Sequence, residues 1–295
     1  MRVELLVEEI RQQLASSCLR EQWDTDRAIV DAEREARSIV HRAQEQALER
    51  GGRAEEIARE LAERRASGEP LGSVVGRVQF CGLEISTAPG CLIPRRETEL
   101  LVAAATEVLS AVDPPRPVIV DVCCGVGNIA CVLASVFPGA RVYACDLTDA
   151  CVEAAAANVR RLGLSDRVEV RQGDLFGALG SVDLEGNVDL VVCNPPYLST
   201  GRLTSARSKL LECEPREAFD AGPYGLLLHQ RAIAEAAPLL RAGGWLGLEF
   251  GVGQDRQLRL LFERASRLYE EPVLKADAAG VARVAVARRR AIESA

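Results

Sequence analysis

At four places along the sequence a polar residue stands at or just behind the end of an apolar run. They are Asp121 in "PVIVDVC", Asp146 in "ARVYACD", Asp174 in "RVEVRQGD" and Asn194 in "VDLVVCN". Three carboxylates and an amide can hold a ligand by hydrogen bonds. Behind the first comes the turn "CCGVGN", where Gly125 and Gly127 permit positive φ and close approach of a ligand to the backbone. That turn alone is a weak signal, shared with nicotinamide-binding folds. An acid at Asp121 suits a cationic ligand and would repel a pyrophosphate. Asp146, at the end of the next run, can accept from both hydroxyls of a ribose, and Asp174 can meet an adenine amino group. Each acid alone also reads as a solvated loop residue or a helix cap. Together they describe a ligand with a ribose, an adenine, an ammonium and a sulfonium but no phosphate, which is S-adenosylmethionine. Cys123, Asn128, Leu147 and Leu175, adjacent in sequence, complete the expected cofactor contacts.

The fourth segment continues as Asn194-Pro195-Pro196-Tyr197. Pro195 disfavours helical geometry at Asn194 and holds it extended. Neither proline has an N–H, so the neighbouring carbonyls are expected to be free acceptors. A backbone carbonyl and the Asn194 side-chain oxygen converging on one –NH₂ group would hold both its hydrogens and aim its nitrogen at a sulfonium methyl. Tyr197 would lie against a flat acceptor group. Methyl transfer is an in-line displacement in which positioning and desolvation supply much of the rate. It needs no strong general base before attack, which suits a chain with 2 His. The alternative is an ordinary strand-ending turn.

The elements that must carry these residues follow from the pattern. From about residue 97, strand candidates alternate with helical stretches: the four runs above, then "GGWLGLEFG", a weak "EEPVLKAD" and "VARVAVAR". That rhythm predicts α/β architecture with a Rossmann-like, seven-stranded sheet, and ligands bind outside the carboxyl ends of such strands. Residues 1–66 read as an N-terminal helical domain, with Leu6, Ile10, Leu14 and Cys18 forming one apolar stripe and Gly51-Gly52 ending the second helix. These helices would hold a protein substrate, join a second subunit as a homo-oligomer, or cover the core. Residues 67–96 read as a linker whose β-rich pieces around Gly82 make a hairpin, and residues 97–295 as the catalytic domain.

Composition narrows the classes further. A net charge of -7 argues against a broad phosphate-binding surface and so against nucleic acid. No apolar run is long enough to span a bilayer, and Glu4, Glu8 and Glu9 interrupt any signal-peptide core, so a cytoplasmic location is expected. The 10 Cys include no CxxC pair and neither His lies near them, so they read as reduced structural thiols, with no metal site.

With these residues in place, the sequence resembles the protein-glutamine N5-methyltransferase family (HemK/PrmC type), class I S-adenosylmethionine-dependent enzymes that modify the GGQ glutamine of peptide-chain release factors. The likeness spans roughly residues 68–290: "GEPLGSVVGRVQFCGLEI", "LIPRRETELLV", "CNPPYL" and "EPREAFDAGPYGLLLHQRAIAEAAPLLRAGGWLGLEFGVGQ". The resemblance implies cofactor binding by Asp121, Gly125, Gly127, Asp146 and Asp174. It implies that Asn194 and Pro195 hold the acceptor amide, with Pro196 and Tyr197 shaping the slot and Arg95, Glu97 and Glu214 in supporting places.

The sequence also departs from the family. The first turn glycine is Cys123, followed by Cys124; Asn128 replaces a small residue; Arg96 stands where many members have proline. Glu212 and Glu214 would add acid near the acceptor slot, which suits a guanidinium. An N-methyltransferase of a small guanidine or amide, such as free arginine, is therefore a second reading. A non-catalytic binding protein with a spoiled cofactor turn is a third.

Overall fold

The computed structural model describes residues 2–18, 25–197 and 225–291. The chain divides into two compact units, Met1–Val78 and Gln79–Ala295.

In the first unit, α1 (Arg2–Cys18), α2 (Thr25–Arg50) and α3 (Ala54–Ala66) pack on one another. Their shared core joins Leu6, Ile10 and Leu14 to the small face Ala32, Ala36, Ile39, Ala43 of α2 and to Ala58, Leu61 and Ala62 of α3. Alanines at that spacing let the helices approach closely. Ion pairs Arg59–Glu9 and Arg65–Glu35, both 2.8 Å, fasten the outside. A short helix, α4 (Leu71–Val75), follows where the sequence reads as β-rich. Pro70 supplies the φ of −57° that starts it, and Gly76, left-handed at φ 78°, ends it. The expected hairpin comes next, pairing β1 (Arg77–Phe80) with β2 (Leu83–Ser86) around Cys81-Gly82.

The second unit is the predicted α/β sheet. Its strands are β3 (Val118–Val122), β4 (Arg141–Asp146), β5 (Val168–Gln172), β6 (Val188–Cys193), β7 (Leu240–Glu249), β8 (Val273–Ala276) and β9 (Ala282–Arg288). They lie in the order β5-β4-β3-β6-β7-β9-β8, with only β9 antiparallel to its neighbours. All seven sequence-predicted strands are present in this class I methyltransferase arrangement. Helices α5 (Glu99–Val112), α6 (Asn128–Val136), α7 (Asp149–Arg161), α8 (Leu227–Ala236) and α9 (Asp255–Arg264) pack on it. β6 is buried along its whole length; each fully buried Val or Leu contributes about 1.5–3 kcal/mol.

The strand order turns back between β3 and β6, whose register sets Asp121 opposite Val192 and Val122 opposite Cys193. The crevice beyond that switch point is where this topology binds ligands. No described helix is long and apolar enough to cross a membrane.

Candidate active site

A cavity of about 590 Å³ opens at the switch point. Its walls come from the turn after β3, the ends of β4, β5 and β6, and the strap that runs from Gly90 to Thr98. Among the predicted residues, Arg95, Cys123, Gly125, Asn128, Asp146, Leu147, Asp174, Leu175, Asn194 and Pro196 line it.

The turn after β3 is held in shape from β4. Cys124 N–H donates to the Cys145 carbonyl at 3.0 Å, and Gly125 N–H donates to Asp146 Oδ2 at 2.9 Å. Cys123, Gly125 and Gly127 are left-handed at φ 58°, 54° and 75°. Glycine takes that conformation freely, whereas a residue with a Cβ loses about 1–2 kcal/mol. The cysteine at position 123 therefore strains the turn. Substitution should reverse the usual ranking of small residues. Cys123→Gly is expected to be about 1 kcal/mol more stable than Cys123→Ala in urea unfolding, and equal stabilities would show that the turn relaxes around the side chain.

Two residues of this turn have roles other than those expected. Gly127 does not line the cavity; a Cβ there would lie 3.0 Å from the Ala155 Cβ, so glycine is required where α6 crosses α7. Asp121 is fully buried beneath the turn, not in the cavity wall. Its Oδ2 accepts from Ala130 N–H at 3.0 Å, bracing the start of α6, while its Oδ1 has no partner. Burial pushes its pKa up to about 8, the Ala130 N–H opposing this and Asp146 adding to it. A carboxyl raised in the folded state binds a proton that the unfolded chain has already released. Its contribution to stability is present below the unfolded value near 4 and is lost as pH rises through about 8. Asp121→Asn is expected to flatten the fall in melting temperature over that window; a slope unchanged by the substitution would remove Asp121 as its source.

At the end of β4, Asp146 uses Oδ2 for Gly125 and Oδ1 for Thr148, whose N–H lies at 3.2 Å and hydroxyl at 3.4 Å. Leu147 beside it is 60% exposed, an apolar surface facing the cavity. Asp174, after β5, pairs with Arg231 of α8, both carboxylate oxygens lying 3.0 Å from Nη1. No local pattern in the sequence points to this partner, which also binds Glu235 at 2.8 Å.

At the end of β6, Asn194 Nδ2 donates to Thr98 Oγ1 at 3.2 Å. Among the described residues nothing donates to its Oδ1, which is left as an acceptor at the cavity wall. Pro196 lines the cavity beside it, while Pro195 is buried. Tyr197 departs from expectation. Its ring does not line the cavity but rests on Gly251, its hydroxyl donates to Glu249 Oε1 at 3.4 Å, and its carbonyl accepts from Gln254 at 2.9 Å. That carbonyl is therefore already engaged. Glu97 also departs: it is exposed on the turn Arg96–Thr98 and outside the cavity wall. Glu212 and Glu214 lie outside the described residues.

Three further residues matter here. Thr98 carries no signal in the sequence. Asn158 sits on the apolar stripe of α7 and clamps Ser86 and the Val126 carbonyl at 2.9–3.0 Å, tying the end of β2 to the glycine turn. Glu249 is an acid in an apolar strand, buried at 1% exposure. His229 is no base, since burial holds its pKa down to about 4, opposed by its bond to the Glu249 carbonyl. The described cysteines are all free thiols, and no group of metal-ligating side chains occurs among the described residues.

The model of the methyltransferase small domain family matches residues 98–217. The chain is 40% identical over 229 residues to the release factor glutamine methyltransferase of Moorella thermoacetica, across 77% of this chain and 78% of that one. It is 38% identical over 207 residues to the 4-amino-L-phenylalanine/4-methylamino-L-phenylalanine methyltransferase of Streptomyces pristinaespiralis, across 69% and 68% of the two chains. The N-terminal domain of human METTL16 in complex with SAH superposes at a TM-score of 0.52 with 19% identity, covering 78% of this chain and 82% of that one. At that identity the likeness shows a common fold.

Proposed function

Since the chain belongs to the release factor glutamine methyltransferase family, we propose that it moves a methyl group from S-adenosylmethionine to the side-chain nitrogen N5 of a glutamine in a peptide-chain release factor. The observation that carries this reading is the Asn194 amide. Its –NH₂ is engaged by Thr98, and its oxygen remains at the edge of the cavity where two strands diverge.

The cavity suits this cofactor better than a dinucleotide. The Gly125 N–H, which a pyrophosphate would need, already serves Asp146. The Asp146 carboxylate, which lines the cavity at this turn, would repel phosphate. Asp146 would accept from the ribose hydroxyls, with Leu147 and Leu175 as apolar surfaces for the adenine. When bound, the cofactor supplies an activated methyl group. The protein supplies position. Asn194 Oδ1 would accept one hydrogen of the acceptor –NH₂ and orient its lone pair, and Pro196 would close the slot. An amide nitrogen is a poor nucleophile, so fixing it in line with the methyl is the main service the site can offer.

A small-molecule acceptor is the second reading, supported by the likeness to an enzyme named for 4-amino-L-phenylalanine. A neutral amide or aryl amine fits the described walls better than a guanidinium. The carboxylates lining the cavity, Asp146 and Asp174, follow β4 and β5, while the strap brings Arg95. One assay separates the readings: wild-type protein with methyl-labelled cofactor, offered release factor, free arginine and 4-amino-L-phenylalanine. Label in the release factor supports the first reading; label only in a small molecule replaces it with the second. A release-factor acceptor places the enzyme in the cytoplasm.

A further inference from the structure

The start of α6 holds donors that nothing above uses. Four N–H groups, counted from the N-cap, open a helix without an intrahelical acceptor. In α6 these belong to Gly127, Asn128, Ile129 and Ala130. The first donates to the Cys124 carbonyl at 2.8 Å and the last to Asp121 Oδ2 at 3.0 Å. Among the described residues no acceptor meets the N–H of Asn128 or of Ile129. Both residues line the cavity, and Gly127 has no side chain with which to cap either group.

The Asn128 side chain repeats the pattern. It is 8% exposed, and the exposure it keeps is at the cavity wall. No group among the described residues bonds to its amide, and neither amide atom is sealed from the cavity. A polar group taken that far from water without a partner is costly, and the family resemblance expects a small residue at this place. The partner it lacks is therefore a ligand that enters the cavity.

The chemistry of that ligand follows from the donors. Two backbone N–H groups at the positive end of a helix and one –NH₂ on the same wall favour an anion. Asp146, bonded to the same turn at Gly125, disfavours a double charge. Asp121, beneath the turn, repels little below its raised pKa of about 8, where it carries a proton. A singly charged group with two oxygens, a carboxylate, matches. We propose that Asn128 Nδ2 and the N–H groups of Asn128 and Ile129 form a subsite for the α-carboxylate of an amino acid. This rests on the reading of the cavity given under the proposed function. S-adenosylmethionine ends in such a group, and so do free arginine and 4-amino-L-phenylalanine. A glutamine inside a release factor does not.

The test is calorimetry with S-adenosylhomocysteine and with the same molecule lacking its carboxylate, on wild type, Asn128→Ala and Asn128→Asp. With the carboxylate supplied by the cofactor, Asn128→Ala lowers affinity for S-adenosylhomocysteine about tenfold. Affinity for the decarboxylated molecule then stays within twofold of wild type. Asn128→Asp lowers the first affinity further, by setting like charges together. Its melting temperature does not fall, because an acid in the first turn stabilises a helix. A merely structural asparagine would move both ligands together. With the carboxylate supplied by the acceptor, S-adenosylhomocysteine binds all three proteins alike. Asn128→Ala then raises KM for a free amino acid about tenfold, but not for its carboxamide. Where only release factor is labelled, calorimetry alone decides. Affinity for S-adenosylhomocysteine and KM for a free amino acid both within twofold of wild type in Asn128→Ala overturn the subsite. So does an equal loss for S-adenosylhomocysteine and its decarboxylated form. A wild type that binds no S-adenosylhomocysteine overturns the methyl-transfer reading as well.

Discussion

Asn194→Ala is expected to lower kcat by about 10²–10³-fold while cofactor affinity stays near wild type. The size follows from the kind of contact removed. A fixed dipole aimed at the reacting group contributes about 2.7–4 kcal/mol at a water-poor site, because it needs no reorganisation at the moment of reaction. Here the dipole is fixed twice: Pro195 restrains the Asn194 backbone, and Thr98 holds the side-chain nitrogen at 3.2 Å. Alanine removes the oxygen but leaves the turn after β3 and the end of β4, which would hold the cofactor. Asn194→Asp makes a sharper control. It keeps an acceptor but no longer donates to Thr98. Its activity should fall between wild type and alanine. Single-turnover transfer and calorimetry with S-adenosylhomocysteine separate the two effects. Turnover within threefold of wild type in Asn194→Ala would remove Asn194 from the reaction; loss of S-adenosylhomocysteine binding would reassign it to the cofactor.

How far the sequence reveals this site depends on the distance over which each feature is encoded. The seven strands are legible because each is a short apolar run, and all but the last are followed by Gly, Pro or an acid that marks the strand end. Asp146, Leu147 and Asn194 are legible in that way. The helix Leu71–Val75 is not, because Val74 and Val75 read as strand while its boundary signals, Pro70 and Gly76, also serve turns. Asp121 is a subtler case. The pattern locates it at a strand end but not on which side of the turn it falls, and it braces Ala130 from below. Tyr197 shares this ambiguity: two prolines set the backbone direction, but Glu249 and Gln254, more than fifty residues on, decide where the ring and carbonyl go. Thr98 and Arg231 had no local signal, because what makes them matter is a partner from a distant element. Glu249 and Asn158 did have one, a polar group inside an apolar strand or stripe, and a buried polar residue is more informative than an exposed apolar one.

Asp146→Ala should give the opposite signature from Asn194→Ala: cofactor affinity reduced about 10²-fold, with kcat at saturating cofactor changed far less. A hydrogen bond to a charged group contributes about 1.5–3 kcal/mol, and two ribose hydroxyls on one carboxylate would lose both. The same substitution also frees the Gly125 N–H and the start of α7 at Thr148, since Asp146 holds each of them. The turn would lose the restraint that keeps Cys123 in its strained left-handed geometry, and part of the lost affinity would be reorganisation of that turn. Asp146→Asn divides the two contributions. An amide oxygen can still accept from Gly125, so the turn after β3 keeps its shape, while the amide nitrogen faces the Thr148 N–H and a ribose hydroxyl as a donor. Its affinity should fall about tenfold. There is also a consequence at a distance. Asp146 is one of the groups that raise Asp121, so its removal should shift the fall of melting temperature with pH toward lower pH. Calorimetry with S-adenosylhomocysteine across the series gives the first result, and melting curves from pH 5 to 9 give the second. If Asp146→Ala binds S-adenosylhomocysteine within threefold of wild type, the carboxylate serves the fold of the turn and the ribose is held elsewhere.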